Sequence, residues 1–299
     1  MDGQQIVLAG ATGNLGGRIA RELRQRGVAV RAIVRPGTGA ERLAGLREQG
    51  VEIVEANLEA RADVVQACRG ASCVVSTLLG LEKVMIEAQG ALLDAAVEAG
   101  VPRFIPSDYA MDFTKIAPGL NRNFDLHREF RERLTRAPIR STAVLNGAFM
   151  NLLTGEAPLV LFKIHRVLYW GDDPEQKLDF TTMDDTAAYT AEVALDPTAP
   201  AILRIAGEQI SAAGLASAAS EVTGKSFRLL RGGGLGRLQK IIAITKSLTP
   251  KSDAPFPVWQ GMQYLCCMFE GSGSLKPLDN QRYPNLRWTG VRTILEQAV

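Results

Sequence analysis

A brief apolar run, Ile6–Ala9, passes directly into Gly10-Ala11-Thr12-Gly13-Asn14-Leu15-Gly16, after which Leu15, Ile19 and Leu23 recur every fourth residue. That recurrence, with Arg18, Arg21, Glu22 and Arg24 between the apolar positions, marks one face of an amphipathic helix. The segment reads as strand, glycine turn, helix, and its three glycines each answer a physical demand. The first permits the sharp reversal, the middle one leaves the backbone open to close approach, and the last lets helix and strand pack tightly. A helix that starts near Asn14 also turns its unpaired N–H groups and positive dipole end toward the same place. Such a turn suits a pyrophosphate. Gly10, Thr12, Gly13, Asn14, Leu15 and Gly16 are therefore the candidate nucleotide-binding residues.

The punctuation repeats along the first half. Gly27 precedes Val28, Gly50 precedes Val51, Gly70 precedes Ala71 and Gly100 precedes Val101. Glycine ends a helix in the left-handed conformation at little cost, and the run that follows starts the next strand. Five strands are expected: Ile6–Ala9, Val28–Val34, Val51–Val54, Cys73–Thr77 and Arg103–Pro106. Each starts roughly 20 to 30 residues after the last, as a βαβ crossover requires, so the sheet is parallel and the fold an α/β, doubly wound Rossmann type. Ile139–Leu145 is expected as a sixth strand. Beyond it, Leu168–Pro174 reads as turn-rich and Thr186–Leu195 as a helix stopped before Pro197. Ser211–Val222 reads as a small-residue helix, the glycine cluster at 231–236 as a loop, and Leu238–Leu248 as a helix with Lys240 and Lys246 on a solvated face. The expected division is a nucleotide-binding domain over 1–153 and a smaller domain over 154–299, some of whose segments return to the first.

Composition narrows the function classes. A chain of 299 residues with 34 basic and 32 acidic side chains has a net charge of +2, which argues against a nucleic-acid surface. No apolar run approaches the length of a membrane span, and the N-terminus lacks the pattern of a secretory signal. Four cysteines, with Cys266 and Cys267 adjacent, do not form a disulfide scaffold, so a reduced, cytoplasmic setting is expected. Two histidines, and Cys68 and Cys73 without partners at ligand spacing, give no metal site.

The end of the second strand selects the nucleotide. Selectivity for NAD usually relies on an acidic residue there, to hold the ribose 2′-hydroxyl. This chain has Val34-Arg35-Pro36-Gly37-Thr38 instead. Arg35 can grip a 2′-phosphate that a carboxylate would repel, which predicts NADP(H). Thr77 and Leu78, at the exit of the fourth strand, are expected to flank the dinucleotide. One acid–base arrangement is absent. Four residues after Tyr109, Tyr169, Tyr189, Tyr264 and Tyr283 stand Phe113, Asp173, Val193, Met268 and Arg287, so no Tyr-x-x-x-Lys pair exists.

Several stretches together resemble the isoflavone reductase-like, NmrA-like branch of the atypical short-chain dehydrogenases. They are Gly10–Gly16, Val34-Arg35, Ser76-Thr77, the run from Val101 to Tyr109, Phe180 to Asp185, Ala188-Tyr189-Thr190 and Tyr283 to Thr289. The resemblance implies an NADPH-binding domain and a smaller, interleaved substrate domain. It implies hydride transfer to a small hydrophobic substrate, aromatic or enone-type, although other members of the branch are redox-sensing regulators. The reductases use a lysine as general acid or base in a helix after the Pro-Ser-Glu-Phe-Gly-like stretch. Here the matching segment is Phe124-Asp125-Leu126-His127-Arg128-Glu129-Phe130, which puts His127 at the lysine position, with Lys115 in the preceding loop. Imidazole can do the same proton work near neutral pH. His127 is therefore the candidate catalytic residue, and His165 is read as structural. Ser107, Asp108 and Tyr109 are candidate contacts for substrate or cofactor, and Asn146-Gly147-Ala148-Phe149 a candidate backing for the nicotinamide. The missing lysine also leaves a second reading: a non-catalytic NADP(H) sensor acting through a protein partner.

Overall fold

Short β-branched runs separated by helices of the right length give a parallel sheet, as the glycine punctuation demands. In the computed structural model, which describes residues 4–249 and 254–298, six strands form that sheet. They are β1 (Gln5–Ala9), β2 (Ala29–Val34), β3 (Glu52–Glu55), β4 (Cys73–Ser76), β5 (Arg103–Ile105) and β6 (Arg140–Ser141). All the neighbouring pairs are parallel, in the order β3-β2-β1-β4-β5-β6. This is the doubly wound order whose direction reverses between β1 and β4, opening a crevice at the carboxyl ends of those two strands. Gly27, Gly50, Gly70 and Gly100 all have φ between 71° and 76°, the left-handed conformation expected of them.

The helices α1 (Asn14–Gln25), α2 (Ala40–Glu48), α3 (Arg61–Cys68), α4 (Gln89–Glu98), α5 (Arg122–Arg136) and α6 (Met183–Leu195) follow. Side-chain alternation along the strands sets the layers. Val7, Val74 and Phe104 turn to one face, where they meet Val64 of α3, Leu92 of α4 and Phe130 and Leu134 of α5 in a single buried cluster. Before α4 the chain makes a wide π turn over Lys83–Ala88.

The chain divides into two units that interleave. One comprises Met1–Tyr109, Leu126–Val144 and Thr186–Leu203; the other comprises Ala110–Asp125, Leu145–Asp185 and Arg204–Val299. The first holds the parallel sheet. Arg103 shows how a distant segment is bound into it. This arginine is buried within β5, and it donates to the carbonyls of Val193 (2.8 Å) and Ala194 (3.2 Å) in the last turn of α6. A cation at that end satisfies orphan carbonyls and opposes the helix dipole.

The remaining strands are short: β7 (Ala143–Leu145), β8 (Ala148–Phe149), β9 (Val160–Leu161), β10 (Arg166–Trp170), β11 (Lys177–Thr181), β12 (Ile202–Arg204), β13 (Glu208–Ser211) and β14 (Arg228–Gly233). They lie in sheets ordered β14-β10-β9, β13-β11-β8 and β12-β7. The last helices are α7 (Ala212–Thr223), α8 (Leu235–Leu248), α9 (Val258–Glu270) and α10 (Val291–Glu296). Two stretches of the family resemblance meet in the second unit. The Thr289 N–H and hydroxyl donate to the Asp185 carboxylate at 2.9 and 3.1 Å, while the Thr182 hydroxyl accepts from the Asp185 N–H at 2.9 Å. These motif residues cap and tie the chain together.

Three sequence expectations need correction. Ile139–Leu145 is interrupted at Thr142, because its ladder partner changes there: Thr142 N bonds Phe104 O, whereas Ala143 N bonds Ala201 O. Leu168–Trp170 is not turn but the end of β10, paired in parallel with β14. Residues 231–233 of the glycine cluster are strand rather than loop, and Gly234 is the N-cap of the helix that starts at Leu235. Glycines suggest a loop there, yet Gly232 lies so close to Trp170 that a Cβ would come within 2.7 Å of its ring. Among the described residues no helix is long and apolar enough to cross a membrane.

Replacing Arg103 by Met should cost about 2–4 kcal/mol of stability, since buried carbonyls lose charge-assisted partners. Urea denaturation would show it as a lower midpoint with unchanged slope, and an unaltered midpoint would refute the capping role.

Candidate active site

The reversal of strand order puts the β1–α1 turn against the exit of β4, and glycine is what allows the approach. Gly10 has φ 87°, and a Cβ on it would lie 2.6 Å from Thr77 Oγ1. A Cβ on Gly16 would stand 2.3 Å from the Gly10 carbonyl oxygen and 2.7 Å from Thr77 Oγ1. The Thr77 hydroxyl donates to Ala9 O at 3.0 Å and its N–H to the same oxygen at 2.9 Å. Thr77 thus supports the turn from beneath. Leu78 packs onto the buried cluster around Val74, and the neighbouring Leu79 is the exposed residue at 66%.

The outer side of the turn is open and positive. Gly13 and Asn14 are exposed, Gly13 is the N-cap of α1 without any side-chain oxygen, and no acidic residue occupies the first turn. Asn14 does not cap either, because its Oδ1 accepts from Arg18 Nε at 2.8 Å. Gly13 N is bonded within the turn to Gly10 O at 2.9 Å. The N-terminus of α1 therefore has no side-chain cap and no nearby carboxylate of its own, the local chemistry that suits an anion. Thr12 sits on its rim with Leu15 half-buried behind.

Arg35 leaves β2 exposed, and among the described residues its guanidinium has no ion-pair partner. Its carbonyl accepts from Thr38 N and Oγ1 at 3.1 and 2.6 Å, which fixes the turn that follows. A second arginine joins it. Arg42, in the first turns of α2, reaches Thr12 Oγ1 at 3.4 Å and so stands beside the glycine turn. Arg42 is not singled out by the sequence motifs, although a helix starting six residues after Val34 is a usable signal.

Two strands along from β1, about 10 Å at ordinary inter-strand spacing, the exit of β5 carries a polar cluster. Gln89, fully buried at the start of α4, accepts from Ser107 N at 2.9 Å through Oε1. Asp108 N donates to Pro106 O at 2.9 Å, and the Asp108 side chain is fully buried. Its Oδ1 lies 2.9 Å from Nδ1 of His127, whose side chain is 12% exposed. Asp108 thus engages the candidate catalytic histidine. Its other oxygen, Oδ2, is buried without a hydrogen-bond partner among the described residues.

The other candidates have contacts of their own. The Tyr109 hydroxyl is enclosed, and burial raises its pKa, so it stays protonated. Lys115 Nζ donates to the carbonyls of Ser274 (2.9 Å) and Lys276 (3.2 Å) and lies 3.3 Å from Asp112. His165 takes a left-handed backbone, φ 49°, with its ring edge-on to Phe227. Asn146 and Gly147 donate their N–H groups to Ala110 O at 2.9 and 3.0 Å. All four thiols are buried, and burial pushes Cys73 up to about 12 and Cys68 up to about 11, so neither is a thiolate nucleophile at neutral pH.

The model of the NmrA-like family matches residues 2–287. Pinoresinol reductase 1 of Arabidopsis thaliana is 30% identical over 209 residues, which is 64% of this chain and 65% of that protein. The chain thus spans just under two thirds of the length of this relative. Among solved structures, AtPrR2 with NADP+ and (+)pinoresinol superposes with a TM-score of 0.83 at 23% identity, covering 100% of both chains. An isoflavone reductase crystal structure superposes with a TM-score of 0.84 at 19% identity, covering 99% of both. At these identities the structural likeness establishes the doubly wound fold.

Replacing Gly16 by Ala should force the turn away from Gly10 and Thr77 and lower stability by about 1–3 kcal/mol. A thermal melt measures the loss; an alanine variant as stable as the parent would contradict the packing described.

Proposed function

The chain belongs to the NmrA-like family, and on that footing we propose that it is an NADPH-dependent reductase of a small hydrophobic, aromatic or enone-type substrate. The observation that carries the coenzyme assignment is the pair of exposed arginines, Arg35 and Arg42, beside an uncapped helix N-terminus with no carboxylate at the end of β2. A pyrophosphate fits against Gly13, Asn14 and Leu15, with Gly10 and Gly16 giving it backbone room and Thr12 at its edge. The extra phosphate of the 2′ position fits the guanidinium groups, which bind phosphate through paired, charge-assisted hydrogen bonds. Thr77 acts by holding the turn in shape, and Leu78 by walling the strand exit. The relative solved with NADP+ supports the same choice. Relatives named as pinoresinol and isoflavone reductases support a reductase of a small molecule.

When bound, NADPH supplies a hydride to an electron-poor carbon. The matching proton comes from His127, whose imidazolium gives it to the oxygen on which negative charge develops. The proposed coenzyme-binding residues and His127 all belong to the first unit. The sensor reading rested on the missing lysine, and a histidine held by a buried carboxylate at that position favours turnover instead.

Arg35→Ala should reduce the preference for NADPH over NADH by about 10- to 150-fold, the worth of a charge-assisted contact of about 1.5–3 kcal/mol. Binding titrations with both coenzymes measure it, and an unchanged preference would reject Arg35. His127→Ala should lower turnover by about 100-fold or more with coenzyme affinity intact. Assays of NADPH oxidation with a panel of enones, quinones and lactones supply the substrate; parental turnover in the variant would end the role.

A further inference from the structure

We propose that Asp108 is a positioning residue that locks the neutral His127 ring in its Nδ1–H tautomer, so that Nε2 is the nitrogen through which the proton passes. The assignment rests on the reductase reading above, and it follows from geometry at the exit of β5. A carboxylate can only accept, so the 2.9 Å contact between Asp108 Oδ1 and His127 Nδ1 requires a proton on Nδ1. The opposite tautomer would set a nitrogen lone pair against a buried anion.

Both partners are held so that the contact persists. Gln89 grips the backbone at Ser107, and the Asp108 N–H is bonded to Pro106 O, which fixes the carboxylate from behind. Phe130 lies three residues after His127 on α5, and its ring packs 6.4 Å from that of Phe104 on β5. The helix that bears the imidazole is thereby pinned to the strand that leads to the carboxylate. No other side-chain hydrogen bond engages Asp108 among the described residues, and its Oδ2 is buried without one. Among the described residues the imidazole is this carboxylate's one side-chain hydrogen-bond partner, as befits a group kept for orienting a ring.

The chemistry balances. In the donating step the Nε2–H bond of the imidazolium breaks, an O–H bond forms on the reduced substrate, and the electron pair of the broken bond stays on Nε2. The neutral ring that remains is the Nδ1–H tautomer, the form the carboxylate stabilises. A solvent proton then restores the imidazolium.

His127 and His165 are the only two histidines of the chain, which makes the test direct. Nitrogen-15 spectra of the full-length protein with labelled histidine, recorded where the rings are neutral, distinguish the two tautomers. His165→Asn identifies the second ring, since asparagine tolerates the left-handed backbone at that position. The expected result is Nδ1–H for His127 in the parent and a shift toward Nε2–H in Asp108→Asn and Asp108→Ala. Asp108→Asn should also lower kcat by about 100-fold or more, with little change in KM or coenzyme affinity. An Nε2–H ring in the parent would overturn the proposal without reference to any activity or variant. Retention of Nδ1–H in Asp108→Ala would overturn it too. A tautomer shift with unchanged kcat would instead remove His127 as proton donor, and Asp108's part in the reaction with it, while its hold on the ring stood.

Discussion

Nothing larger than a hydrogen fits between the β1–α1 turn and Thr77, and the rest of the site depends on that closeness. The Thr77 hydroxyl reaches back to Ala9 O, and Gly10 and Gly16 press against the same side chain. This contact sets the height at which α1 starts relative to the sheet, and therefore where its uncapped N–H groups point. An anion-binding helix end is common; one held against a strand exit at the reversal of sheet order is positioned for a dinucleotide. The arginines extend that logic. Arg35 sits where β2 ends and Arg42 where α2 begins, so both are delivered by the βα unit that follows the turn.

The Asp108–His127 pair lies farther along the same sheet. The exit of β5 supplies Asp108, α5 supplies His127, and the Phe104–Phe130 contact holds strand and helix together. A lysine at position 127 would bring a permanent, flexible charge; histidine brings a ring whose orientation must be imposed. The buried carboxylate imposes it. On the proposed reading, that is how a ring at this position can do general acid work.

Local features were legible in the sequence because their causes are local. The strand–turn–helix at the N-terminus, the glycines at 27, 50, 70 and 100, and the five parallel strands each follow from residues within one βα unit. Features made by distant contacts were not. The break at Thr142 comes from a change of ladder partner, and the strand at 228–233 exists because it pairs with β10. The link between Asp108 and His127 spans 19 residues, and no periodicity announces it. Arg103 reads as one more charged residue, until α6 ends beside it. The interleaving of the two units was only partly visible, since the return of 186–203 to the first unit depends on such contacts.

Titration calorimetry of the full chain with NADPH and with NADH addresses the central claim most directly, since it asks whether the glycine turn and its arginines hold a 2′-phosphorylated dinucleotide at all. A one-to-one exotherm with NADPH, at least about tenfold tighter than with NADH, is the expected result. Absence of heat with both coenzymes would contradict the assignment and leave only the fold.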